Sequence, residues 1–97
     1  MTKKSKPRES PFIEEINDAA GEGGSLLILH NDEVNSFDFV VKCLIEICKH
    51  STVQAEQCTY LTHYKGKCDV KSGTYDALNN MRLGLLDKGL QATIEQS

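Results

Sequence analysis

The chain has no tryptophan, only three Phe and three Tyr, and no apolar run approaching the roughly 20 residues that cross a bilayer. These absences exclude a spanning helix and leave little apolar material beyond one small core. The first residues also lack the apolar centre of a signal peptide, so the expectation is a cytoplasmic protein with no membrane role. A phosphate loop follows a strand and opens a helix, whereas Gly21-Glu22-Gly23-Gly24 precedes the first apolar run. The net charge is -3, and basic residues cluster only in Lys3-Lys4-Ser5-Lys6-Pro7-Arg8. The footprint of a nucleic-acid binder is therefore missing from the folded part.

What is present fits one domain, since 97 residues are too few for two. Residues 1–24 are rich in Lys, Ser, Glu and Gly, a composition that does not repay ordering entropy, and they read as a flexible N-terminal extension. Within it Phe12, Ile13 and Ile16 have helical spacing, enough for a transient turn over Phe12 to Ala20. Residues 25–97 read as the core domain. Leu26 to Leu29 has the length and flanking breakers of a buried strand. Asn35 or Ser36 caps a helix from about Phe37 to His50, whose apolar face is Phe37, Val40, Val41, Leu44, Ile45 and Cys48, widened by Phe39, Cys43 and Ile47.

Ser51-Thr52-Val53-Gln54 matches a capping box, opening a second helix to about Tyr64 that Gly66 terminates. Ala55, Cys58, Thr59, Thr62 and His63 share one of its faces, with Leu61 beside them. Cys68 to Lys71 alternates as a strand, and Ser72-Gly73-Thr74 caps a third helix with the stripe Tyr75, Leu78, Met81, Leu85 and Leu86. Gly89 ends it, and Leu90 to Ile94 alternates as a last strand. Three strands and three helices in so short a chain predict an α+β fold, a small three-stranded sheet packed by helices in the order β-α-α-β-α-β.

Three chemistries compete for the polar residues. Cys43, Cys48, His50, Cys58, His63 and Cys68 include metal-ligand types, but there is no CxxC pair and Cys43 and Cys48 diverge around a helix. The four cysteines instead read as small buried hydrophobes, thiols without a disulfide, and neither a metal nor a cofactor is expected. Cysteine catalysis with His63 and Asp32 would need an oxyanion loop that the chain lacks, so no enzyme is expected. The third chemistry is cation binding. The run Leu26 to Leu29 stops at His30-Asn31-Asp32-Glu33, and an ammonium, with three donors and no acceptor, suits an amide carbonyl, a carboxylate and a neutral imidazole. Asn31, Asp32 and His63 supply all three. Solvated loop acids and a helix-surface imidazole are the plainer account of the same residues, and residue chemistry alone favours it.

The combination of Leu29-His30-Asn31-Asp32-Glu33, Phe39-Val40, Gln54-Ala55, His63-Tyr64-Lys65-Gly66-Lys67, Leu90 and Thr93-Ile94-Glu95 resembles the ClpS adaptors of bacterial Clp proteases. The likeness runs from about Ser25 to Gln96. It implies a non-catalytic, monomeric adaptor that grips the N-terminal residue of N-degron substrates beginning with Leu, Phe, Tyr or Trp. A ClpA-type AAA+ unfoldase would receive the substrate for degradation by ClpP, with the extension entering its pore. Carried over residue by residue, Asn31, Asp32 and His63 would hold the α-amino group. Asn35, Phe37, Val40, Thr59, Thr62 and Leu90 would line the hydrophobic pocket for the side chain.

Several positions depart from the family pattern. Val34-Asn35-Ser36-Phe37 stands where Thr-Pro-Met is common before the helix, and Phe37 replaces the methionine that gates the pocket. Thr62 replaces an aliphatic residue, and the third helix is about six residues shorter, with Met81 near the place of an unfoldase-contacting lysine. Phe37 and Thr62 motivate one rival, a ClpS-fold module that modulates the unfoldase without N-degron binding; a second, a ribosomal stalk-like domain, shares the architecture but lacks the acid loop and late histidine.

Overall fold

The computed structural model describes residues 24–96, and the readings made for residues 1–23 lie outside them. Six elements follow one another: β1 (Ser25–His30), α1 (Phe37–Cys48), α2 (Thr52–Lys65), β2 (Lys67–Gly73), α3 (Tyr75–Asp87) and β3 (Gln91–Gln96). The order is the β-α-α-β-α-β read from the sequence. β1 is the central strand, antiparallel to both neighbours in the order β2-β1-β3. Both partners therefore hydrogen-bond the most apolar strand, and its C-terminal end opens at the middle of the sheet.

Register decides which side chains meet the helices. Leu29 lies opposite Cys68 on one side and Ala92 on the other, while a bulge between Leu27 and Ile28 shifts the β1–β2 pairing. Leu27, Leu29, Val70 and Ala92 join Val40, Cys43, Leu44, Cys48, Ala55, Cys58, Leu78, Leu85 and Leu90 in one buried cluster. Each large aliphatic side chain in it contributes about 1.5 to 3 kcal/mol of burial.

The helices end where local chemistry ends them. Ser36 and Thr74 cap α1 and α3 by accepting from the Phe39 and Ala77 amides. At Ser51 both halves of the capping box form, with Gln54 reaching back to the Ser51 amide at 3.0 Å. Gly66 closes α2 at φ 98°, where a side chain is disfavoured, and its amide donates to the Thr62 carbonyl.

α1 stops short of the expected His50. Lys49 turns into the left-handed region at φ 62°, and the His50 ring swings inward so that Nε2 donates to the Val70 carbonyl at 2.7 Å. A buried hydrogen bond thus replaces the last half-turn. β2 is longer than expected, extending to Gly73 because it pairs with β1 down to Ser25. β3 runs Gln91–Gln96 for the same reason, Ser25 pairing Gln96.

Two expected faces differ at their edges. Phe37, Tyr75 and Leu86 lie exposed, whereas Cys43 is fully buried in α1. At Gly84 a Cβ would come within 3.3 Å of Ile47, so the absence of a side chain lets α3 approach α1 closely.

Candidate functional site

The polar stop after β1 becomes a tightly wired loop. The Asn31 amide donates to the Gly66 carbonyl at 2.9 Å, stapling the exit of the central strand to the end of α2. Asp32 then organises the turn: Oδ1 accepts the Val34 and Asn35 amides, each at 2.8 Å, and Oδ2 accepts the Asn35 side-chain amide at 3.1 Å. Such side-chain-to-backbone bonding is why Asp suits this place. Partial burial opposes ionisation of Asp32. The Asn35 and Val34 donors and the nearby His63 outweigh it, and the carboxyl lies below its usual 3.8. The group is thus a carboxylate at neutral pH.

Asn35 does a second thing. Its Nδ2 also donates to the Gly89 carbonyl at 3.0 Å, tying the β1–α1 loop to the turn before β3, next to Leu90. Both donors of the side-chain nitrogen are spoken for.

From α2, His63 arrives with its Nδ1 3.0 Å from the Thr59 carbonyl oxygen. A carbonyl only accepts, so Nδ1 carries the hydrogen and Nε2 of the neutral ring keeps its lone pair. Thr59 and Thr62 donate their own hydroxyls to the Ala55 and Cys58 carbonyls, each at 2.7 Å. Both threonines are consequently satisfied inside the helix and buried without cost from an orphaned hydroxyl.

One pocket is lined by Leu29, His30, Asn31, Asp32, Asn35, Val40, Thr62, His63 and Leu90. It brings together all three residues assigned to amine binding and four of those assigned to the side chain. Phe37 stands outside it. Its ring lies 5.8 Å from that of His63, and it borders an open groove with Glu56, Gln57, Tyr60 and Leu61. Thr59 is fully buried behind the pocket. Sequence reasoning did not assign Leu29 or His30 to the lining, nor the carbonyls of Gly66 and Gly89 to the wiring. Their place at the C-terminal end of β1, directly before Asn31, is the signal for the first pair, but nothing in residue identity announces a backbone carbonyl.

The room in it is about 10 Å³, close to the volume one water needs. As it stands, the pocket is a narrow, partly open cleft. No cluster of potential metal ligands exists among the described residues, and no helix there is long and apolar enough to cross a membrane.

A sheet-and-helix domain whose central strand opens onto a carboxylate, an amide and an imidazole acceptor beside an apolar wall has the layout of a receptor for a small cationic group. The family model of the ATP-dependent Clp protease adaptor protein ClpS matches residues 26–93, and the chain belongs to that family of adaptors. Among solved structures it is similar to Agrobacterium tumefaciens ClpS2 bound to L-phenylalaninamide, at 20% identity and a TM-score of 0.74 over 77% of this chain and 98% of that one. At that identity the likeness concerns the fold. No curated protein sequence matches the chain significantly.

Proposed function

We propose that this adaptor recognises the free α-amino group and the first side chain of N-degron substrates and delivers them to a ClpA-type AAA+ unfoldase feeding ClpP. Asn31, Asp32 and His63 hold the ammonium. The observation that carries the reading is the His63–Thr59 hydrogen bond, which leaves an imidazole acceptor on the pocket that Asn31 and Asp32 also line. With Oδ1 and Oδ2 of Asp32 already accepting three hydrogen bonds, the carboxylate retains about one lone-pair direction for an ammonium donor.

The side chain enters between Asn35, Val40, Thr62 and Leu90, with Phe37 at the mouth and Thr59 behind the wall. Leu, Phe, Tyr or Trp in that place gains roughly 1.5 to 3 kcal/mol from burial, offset by the cost of opening a space now water-sized. The related ClpS2 binds an amino-acid amide with a free amine and an aromatic side chain, which fits the same chemistry. The adaptor works as a cytoplasmic monomer and catalyses nothing itself.

The deciding experiment titrates a peptide beginning with free Phe or Leu and its N-acetylated twin. Acetylation removes the charge and adds bulk, so only the free peptide binds; equal affinity overturns the reading. The narrowness of the pocket favours one alternative, a module that modulates the unfoldase without gripping N-degrons. That reading predicts no binding of either peptide alongside intact binding to the unfoldase.

A further inference from the structure

Two walls of the pocket are each wired internally and joined to one another by a single bond. One is the β1–α1 loop, folded on itself by the Asp32 carboxylate and stapled to Gly66 through the Asn31 amide. The other is the α3–β3 turn, where the Lys88, Gly89 and Leu90 amides donate to the Gly84, Leu85 and Leu86 carbonyls of the last turn of α3. Among the described residues, the donation from Asn35 Nδ2 to the Gly89 carbonyl, at 3.0 Å, is the one hydrogen bond that crosses between them. Asn35 from the loop and Leu90 from the end of the turn both line the pocket, whose room is about 10 Å³.

We propose that Asn35 is a specificity-determining residue, a latch that must release Gly89 before an N-terminal side chain larger than a methyl can enter. The inference rests on the peptide-binding reading and names what filters its substrates. Room for one water is room for a methyl and little more. A leucyl or aromatic side chain needs the two walls to part, and the bond that resists parting is the one from Asn35 to Gly89. Its surroundings suit release. Asn35 is half-buried and Gly89 exposed, so water takes up the freed amide hydrogen and carbonyl. Nothing lies within 4 Å of the place a Cβ would occupy at Gly89, which leaves the turn space to move outward. Release therefore costs the net worth of one hydrogen bond, about a fivefold factor in affinity, and not the penalty of a buried orphan.

The other hydrogen of the same nitrogen bonds Asp32 Oδ2 at 3.1 Å and need not move. With Oδ1 still holding the Val34 and Asn35 amides, the carboxylate stays oriented while the pocket opens. Amine binding and side-chain entry can thus adjust separately, although one amide group serves both. The result is a size filter. A methyl enters without release and gains little from burial, whereas every larger side chain meets the same release cost and is admitted when its apolar area outweighs it.

The test follows the Asn35 side-chain amide by NMR in the full chain, with two peptides alike except for a first residue of Leu or Ala. Leu is chosen because it has no ring current to disturb nearby resonances. In the Ala complex both Nδ2 hydrogens keep their hydrogen-bonded shifts. In the Leu complex the hydrogen facing Gly89 moves upfield, as a released amide hydrogen does, while the one facing Asp32 stays as in the Ala complex. Two variants read the cost. Asn35→Leu keeps the side-chain volume without the bonds, and Asn35→Ala removes both; in each, the ratio of Leu-peptide to Ala-peptide affinity rises about fivefold. A rise in Asn35→Ala alone assigns the effect to volume and overturns the latch. So does a Leu complex whose Gly89-facing hydrogen is unmoved, and either result leaves the peptide-binding reading standing. Failure of both free-amine peptides to bind overturns the two together. The resonances of the unsubstituted chain decide even if a variant fails to fold.

Discussion

The His63 Nδ1 donates to the carbonyl oxygen of Thr59, one helical turn earlier, at 3.0 Å. This single bond fixes which face of the imidazole is an acceptor and does so with a backbone group that no substitution at Thr59 removes. His63→Ala should therefore weaken binding of a free Phe-peptide by the cost of one unmet ammonium donor, about 1 to 3 kcal/mol or roughly five- to 150-fold. Because His63 is exposed, the far-UV circular dichroism and unfolding midpoint should barely move. Unchanged affinity in calorimetric titration would remove His63 from the ring.

Asn35 serves both Asp32 and Gly89 with one amide nitrogen. Asn35→Ala deletes both bonds, and a loss of about 1 to 2 kcal/mol in chemical unfolding is expected. The Asp32 carboxyl should also titrate at higher pH in the variant, because one of the groups holding it below 3.8 is gone. A carboxyl NMR titration that shows no upward movement would contradict the assignment.

His50 provides a pH signature of stability. Burial, against the favourable pull of the Val70 carbonyl and with Lys71 nearby, holds its imidazole below the ordinary 6.5. As pH falls through 6.5 the unfolded chain takes up the proton and the folded chain does not. Its contribution is thus complete above 6.5 and is lost on acidification toward the lower folded value. Urea-unfolding free energy should fall by up to about 1.4 kcal/mol per pH unit from this group. His50→Gln should flatten that slope, His30 and His63 being common to both chains. Parallel slopes would count against it.

Gly66 sits at φ 98° with nothing within 4 Å of where a Cβ would be. The cost of Gly66→Ala is accordingly backbone strain alone, about 1 to 2 kcal/mol in unfolding free energy. No loss would mean that the turn relaxes freely, and the Asn31 staple with it.

Much of this was legible in the chain. A short apolar run marked β1, helical and two-residue periodicities with their caps and breakers marked the other five elements in order, and the capping box at Ser51 and the glycine at 66 marked ends that backbone chemistry enforces. What failed did so for tertiary reasons. Helical periodicity carried α1 to His50, yet the ring's bond to Val70, from a strand 20 residues on, ended the helix early. Phe37 had the spacing of a core residue, but its place at the first turn of α1 leaves it against His63 at the surface.

The same division runs through the site. The sequence by itself determined the donor and acceptor types, Asn31-Asp32 after an apolar strand and His63 near a helix end, because side-chain chemistry is written in residue identity. Only the tertiary structure decided that they share one pocket, which imidazole nitrogen is left as the acceptor, and that the space beside them is only about 10 Å³. Those outcomes depend on backbone carbonyls at Thr59, Gly66 and Gly89, groups every residue carries alike, and on the sheet register that delivers them. Position in space, and not residue type, gives such groups their meaning.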